Sequence, residues 1–119
     1  MKLIIAGGRD YQLSVYDYVR LESLHLNEKV TAVVCGGTSG ADACGLLWAR
    51  SCQIPVRHFS PDWKTHGKKA GPLRNRAMAE YADAVALFPG GRGTESMYQE
   101  AVKAGIKIFD FRQIGAQKI

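Results

Sequence analysis

The sequence has no apolar run long enough to cross a bilayer. The longest, such as Leu3-Ile4-Ile5-Ala6 and Ala84-Val85-Ala86-Leu87-Phe88, stop at four to six residues, against the roughly 20 that a spanning helix needs. It has three cysteines, Cys35, Cys44 and Cys52, an odd number with no CxxC pair. That argues against a disulfide framework and gives zinc no second ligand pair, so small buried hydrophobes are the better account of all three. Internal repeats, low-complexity stretches and linkers are absent, and the 13 glycines cluster instead of recurring every third residue, which excludes collagen. No small-residue cleavage site follows the first apolar run, which turns directly at Gly7-Gly8. The expectation is a cytoplasmic protein without membrane contact.

What remains is a chain of 119 residues, 46% apolar and 23% charged. Residues 1–119 fit one domain, able to bury roughly two-thirds of the surface the unfolded chain exposes. Sixteen Lys+Arg against eleven Asp+Glu leave a net charge of +5. The excess is local: His58 to Arg76 holds Lys64, Lys68, Lys69, Arg74 and Arg76 with one acid, Asp62. Such a stretch suits an anionic partner, either a phosphorylated small molecule or nucleic acid, or else serves as a solvated basic surface.

Strand-length apolar runs alternate with helix-length segments. Strands are expected over Lys2–Ala6, Val30–Cys35, Ile54–His58, Asp83–Phe88 and Ile106–Phe111, the last an edge because of Lys107 and Asp110. A helix is expected over Ser14–Asn27, capped by Ser14, with Val15, Tyr18 and Val19 inward. Another spans Ala41–Cys52 with Ala41, Cys44, Leu47 and Trp48 inward. Phe59 to Ala70 reads as irregular, after which Gly71-Pro72 opens a helix to about Tyr81, with Pro72 first. Glu95–Ala104 is the last helix, with Thr94 as N-cap, Met97, Ala101 and Ala104 inward, and Gly105 as its stop. Strands apolar on both faces, each followed by a helix, imply an α/β fold: a three-layer, Rossmann-like, doubly wound parallel sheet of about five strands. With the first strand central the order is 3-2-1-4-5, and a ligand belongs at the carboxyl ends of the strands where the winding reverses.

Three of those strand ends carry glycine pairs: Gly7-Gly8-Arg9-Asp10, Gly36-Gly37-Thr38-Ser39-Gly40-Ala41-Asp42 and Pro89-Gly90-Gly91-Arg92-Gly93-Thr94. Glycine there permits positive φ and close backbone approach, and a following helix offers free N–H groups to an anion. None matches the G-x-G-x-x-G or Walker patterns, which disfavours ordinary dinucleotide oxidoreductases and P-loop enzymes. Asp42 either closes a capping box with Ser39 or accepts from a ribose hydroxyl, and the spacing alone does not choose. Arg74 and Arg76 oppose the dipole of their own helix, a cost that makes sense beside a bound anion. His25, His58 and His66 are scattered, so no metal site is expected.

Together, Gly36-Gly37-x-x-Gly40-x-Asp42, Ala70-Gly71-Pro72-x-Arg74-Asn75-x-x-Met78 and Pro89-Gly90-Gly91-x-Gly93-Thr94 resemble the SLOG superfamily, most closely its YspA and cpYpsA-related branch. The resemblance runs from Ile4 to the last strand and implies the same fold. That superfamily includes DprA/Smf DNA-processing proteins, the Lonely Guy (LOG) phosphoribohydrolases, and domains thought to sense nucleotides or ADP-ribose species. LOG enzymes carry an Arg four residues before a Met, then PGGxGTxxE, with that Arg and the final Glu as the catalytic pair. Arg74 and Met78 match the first half, but the Glu position holds Met97. Glu95, two residues early, is turned about 200° round the helix.

The first expectation is therefore a protein that binds a nucleotide or an NAD- or ADP-ribose-derived ligand, with no other cofactor. Pro89 and the Gly90–Thr94 amides, with Gly91, Arg92 and Gly93, hold a phosphate and Arg74 pairs with it. Asn75 adds polar contacts, while Gly7-Gly8 with Arg9 or Asp10 line the opposite wall. Gly36, Gly37, Thr38, Ser39, Gly40 and Asp42 extend the site. Trp63 stacks on a base or anchors its own loop. Two alternatives stand beside it: an N-glycosidase releasing a base, with Arg74 catalytic, and a DprA-like single-stranded DNA-binding protein, since such sites combine cationic grooves with stacking aromatics. Homo-oligomerisation is left open.

Overall fold

The computed structural model describes residues 1–37 and 39–112. Five parallel strands, β1 (Lys2–Ala6), β2 (Ala32–Cys35), β3 (Val56–His58), β4 (Ala84–Leu87) and β5 (Lys107–Asp110), pair in the order β3-β2-β1-β4-β5. The helices are α1 (Val15–Glu28), α2 (Gly40–Ser51), α3 (Trp63–His66), α4 (Ala70–Tyr81) and α5 (Arg92–Ala104). The strands are apolar on both faces because both faces are covered. Leu3, Ile5, Val33, Ala84 and Ala86 pack with Leu21, Leu24 and Trp48 of α1 and α2. The alternate residues Ile4, Val34, Val85 and Leu87 pack with Met78, Ala79, Met97 and Ala101 of α4 and α5. Side chains alternate across a strand, so one sheet feeds two cores. Among the described residues no helix is long and apolar enough to cross a membrane.

The helix faces differ from expectation in three places. Val15 and Val19 are exposed, and α1 buries Asp17, Leu21 and Leu24 instead. The cause lies in the cap. Ser14 Oγ accepts from the Asp17 amide while Asp17 Oδ2 accepts from the Ser14 amide at 2.9 Å, and this capping box turns Asp17 inward. There Asp17 also accepts from the Tyr11 hydroxyl at 2.6 Å and pairs with Arg20 at 3.3 Å. Leu47 of α2 and Ala104 of α5 are exposed too, lying beyond the edges of their buried stripes.

Phe59 to Ala70 is more ordered than its composition suggested. Asp62 Oδ1 caps α3 by accepting from the Thr65 amide, and a 3₁₀ turn over Gly67–Lys69 leads straight into α4. Pro72 is consequently the third helical residue and not the first, still within the turn whose N–H groups lack helical acceptors. Helix α5 begins at Arg92 with Gly91 as N-cap, which places Thr94 inside the first turn. Gly105 ends α5 at φ 71° as expected, whereas the turn after α2 uses Gln53 at φ 58°, a non-glycine in the left-handed region. Both sheet edges are short. All three residues of β3 are exposed, and Lys107 of β5 pairs with Glu28 at 2.6 Å. Cys35 and Cys44 are buried free thiols and Cys52 is half-buried.

Replacing Asp17 by Ala removes the reciprocal cap and leaves the Tyr11 hydroxyl and Arg20 without their acceptor. A loss of about 2 kcal/mol is expected, summing a cap and a hydrogen bond to a charge. Urea denaturation of the variant measures it, and an unchanged midpoint would refute this account of α1.

Candidate functional site

At the carboxyl ends of β1, β2 and β4 the chain encloses a cavity of about 960 Å³. Gly7 to Asp10, Gly36, Gly37, Ser39, Asp42, Arg74, Asn75 and Pro89 to Thr94 all line it, together with Trp63. Gly40 does not. Its φ of 58° is one only glycine adopts readily, and a Cβ there would collide with the Gly8 and Arg9 carbonyls. Thr38 lies outside the described residues. Tyr11, Pro61, Met78 and Met97 also line the wall, without having been singled out as site residues. Tyr11 carries no local motif. The only hint of its position was its distance from Asp17, which became visible once the capping box was known.

The three loops are fastened at Gly8. Its N–H donates to the Pro89 carbonyl at 2.8 Å, and its own carbonyl accepts from the Ala41 amide at 3.1 Å and the Tyr11 amide at 3.2 Å. A Cβ on Gly7 would lie 2.6 Å from Ala41 Cβ, and one on Gly90 would lie 2.7 Å from the Gly8 nitrogen. Close approach, more than positive φ, is what these glycines supply. Gly91 and Gly93 differ, since a Cβ at either would meet nothing within 4 Å.

Two of the helices that start at the cavity begin without a side-chain cap. Neither Ser39 at α2 nor Gly91 at α5 provides one. The Ala41 amide of α2 is taken by Gly8, whereas the α5 terminus, with Arg92 on its first turn, opens on the cavity. By contrast α1, which opens from the same edge of the sheet, is closed by the reciprocal Ser14–Asp17 capping box.

Asp42 makes no cap hydrogen bond with Ser39. Its Oδ2 accepts from the Gly37 amide at 2.7 Å. Burial pushes its carboxyl above the ordinary value, against the Gly37 and Gly36 amides and the Arg74 and His58 charges, which pull it down. Arg74 donates to the Gly36 and Phe59 carbonyls and, through Nε, to Asn75 Oδ1 at 3.0 Å. Burial draws the guanidinium below its ordinary pKa, with Asp42 opposing. Asn75 is buried, and its amide donates to Ser96 Oγ at 3.1 Å and the Gly93 carbonyl at 3.4 Å. Its polar atoms therefore brace α4 against α5 and the cradle loop. Burial and the hydrogen bond to Asp17 push the Tyr11 phenol up to about 12. Trp63 is about half exposed at the rim, and a Cβ on Gly71 would meet its ring in ordinary contact at 3.6 Å.

The model of the YspA, cpYpsA-related SLOG family matches residues 1–66, over half of the sequence. The chain belongs to that family. Across nearly its whole length this SLOG protein is similar to the Gene 61 protein of Mycobacterium phage D29, 37% identical over 120 residues covering 92% of this chain and 95% of the relative. The X-ray structure of TM1055, a Northeast Structural Genomics Consortium target, superposes with a TM-score of 0.64 over 90% of this chain and 71% of that one. At 19% identity that likeness speaks for the fold alone. Met97 lines the cavity and is 1% exposed. Glu95 is exposed and pairs with Arg112 at 3.4 Å.

Gly90→Ala is expected to destabilise by about 1–3 kcal/mol, because its Cβ meets the backbone that carries the Gly8–Pro89 hydrogen bond, while Gly91→Ala stays within about 1 kcal/mol of the parent. Paired thermal denaturation distinguishes them, and equal melting temperatures would contradict the clasp.

Proposed function

We propose that this protein binds a nucleotide or an ADP-ribose-type ligand in the cavity at the strand tips. The observation that carries the reading is the start of α5. Its first turn lies on a large cavity with no side chain capping its amides, and Arg9 and Arg92 line the same cavity. Backbone N–H groups and the helix dipole there favour a phosphate. Pro61 and Trp63 supply apolar surface at the other rim for a base. Membership of the SLOG family agrees with a nucleotide-related role.

Cleavage of the glycosidic bond needs a carboxylate to stabilise oxocarbenium-like charge or to activate water. Met97 is apolar where the LOG pattern places that group, so binding without base release is the expected behaviour. Single-stranded DNA is the second reading, favoured by the exposure of Lys64, Lys68 and Lys69 next to Trp63. An oligonucleotide whose affinity falls steeply with salt would support it, since phosphate contacts release counterions.

Thermal-shift and calorimetric titration with AMP, ADP, NAD and ADP-ribose tests the first reading. A ligand at 100 times its dissociation constant adds about 2.7 kcal/mol, a shift of several degrees. Gly91→Val and Gly93→Val are expected to fold, because their Cβ positions are open, and to lose at least about tenfold in affinity by occluding the amides, about 1.4 kcal/mol. Failure of all four ligands to bind the parent, or unchanged affinity in both folded variants, would overturn it.

A further inference from the structure

The cavity wall changes character along the sheet, and the strand order fixes the sequence of that change. Reading from one edge, the start of α3 after β3 presents Trp63, the start of α2 after β2 presents Asp42, the β1 loop presents Gly7 and Gly8, and the β4 loop leads to the α5 amides. Neighbouring strands are about 4.8 Å apart, so these loops are ranked in space as well as in the fold. An aromatic ring, a carboxylate and an amide cradle thus follow one another in the order in which a nucleotide carries its base, its sugar and its phosphate.

Asp42 is the unusual member of the series. A carboxylate on a wall built for an anion repels phosphate, so the group opposite it is not a phosphate. Among the described residues no basic side chain forms an ion pair with Asp42. Among the described residues the Gly37 amide donates to it at 2.7 Å, and the Gly36 amide beside it favours the charged carboxylate. A carboxylate has about four acceptor sites, and two amides leave roughly half of that capacity toward the cavity. What satisfies it is a pair of neighbouring hydrogen-bond donors without charge. A ribose offers them as its 2′ and 3′ hydroxyls.

We infer that Asp42 receives the cis-diol of the ligand's ribose and makes this a ribonucleotide site that discriminates against deoxynucleotides. The inference rests on the nucleotide reading and adds to it which sugar is recognised and by which residue. Arg74 acts behind Asp42. By holding the Gly36 carbonyl it fixes the loop whose amides aim the carboxylate.

Calorimetric titration of the full chain with ADP, 2′-deoxy-ADP and 3′-deoxy-ADP tests it. The parent is expected to bind ADP about tenfold more tightly than either deoxy analogue, the scale of losing a hydrogen bond to a charged group. Asp42→Asn, which keeps an oxygen for the Gly37 amide, is expected to weaken ADP most and each deoxy analogue, which retains one of the two hydroxyls, less, so that the roughly tenfold gap between them narrows. Equal affinity of the parent for all three overturns the inference and leaves the nucleotide reading standing. So does an equal loss for all three in Asp42→Asn. No ADP binding by the parent also counts against the inference, and it reaches the nucleotide reading only if AMP, NAD and ADP-ribose fail too.

Discussion

Two central strands that lie side by side must deliver their chain ends into the same small volume, and in this protein that crowding is resolved at Gly8. Its amide and carbonyl are bonded to Pro89, Ala41 and Tyr11, which belong to the other two glycine-rich loops and to its own. The clasp requires bare backbone on both sides, which Gly7 and Gly90 supply. Because the Ala41 amide is consumed in the clasp, α2 contributes a carboxylate to the cavity wall more than it contributes an anion site. The free amides are left to α5. One packing constraint therefore divides the labour between the two helices.

Much of the architecture was legible because each strand announces double-sided burial: Leu3, Ile4 and Ile5 have no exposed surface, and neither do Ala84 through Phe88. Parallel pairing and the order of the strands follow from that pattern with right-handed crossovers. Helix faces were harder. Asp17 is polar by type yet buried, because a cap, a phenol and an arginine satisfy it together, and no periodicity count gives a carboxylate to the core. The left-handed turns at Lys29 and Gln53 were equally hidden, since neither residue is the glycine that usually marks such a conformation.

The candidate site was legible at the level of loops and less so at the level of side chains. Glycine clusters named three of its walls, but not which glycines are there for crowding and which stand in open space. Asn75 and Arg74 were read as facing outward toward a ligand. In the structure both also hold the protein together, Asn75 to Ser96 and Gly93, Arg74 to Gly36 and Phe59. Such dual use is a matter of long-range geometry, with partners 15 to 38 residues apart in the chain, and no local spacing encodes it.

The blunt margins of the sheet bear on how copies of this chain meet one another. Extending the ladder from one molecule to the next would mean desolvating Arg57 and His58 on a three-residue strand at one side, or parting Lys107 from Glu28 at the other. Exposed strands seed fibrous growth when they are long, flat and apolar, and here both borders are short and charged, Arg57 on one and Lys107 and Asp110 on the other. Crowded molecules can collide edge to edge and separate again, so concentration alone gives this fold no ready route into β-aggregates.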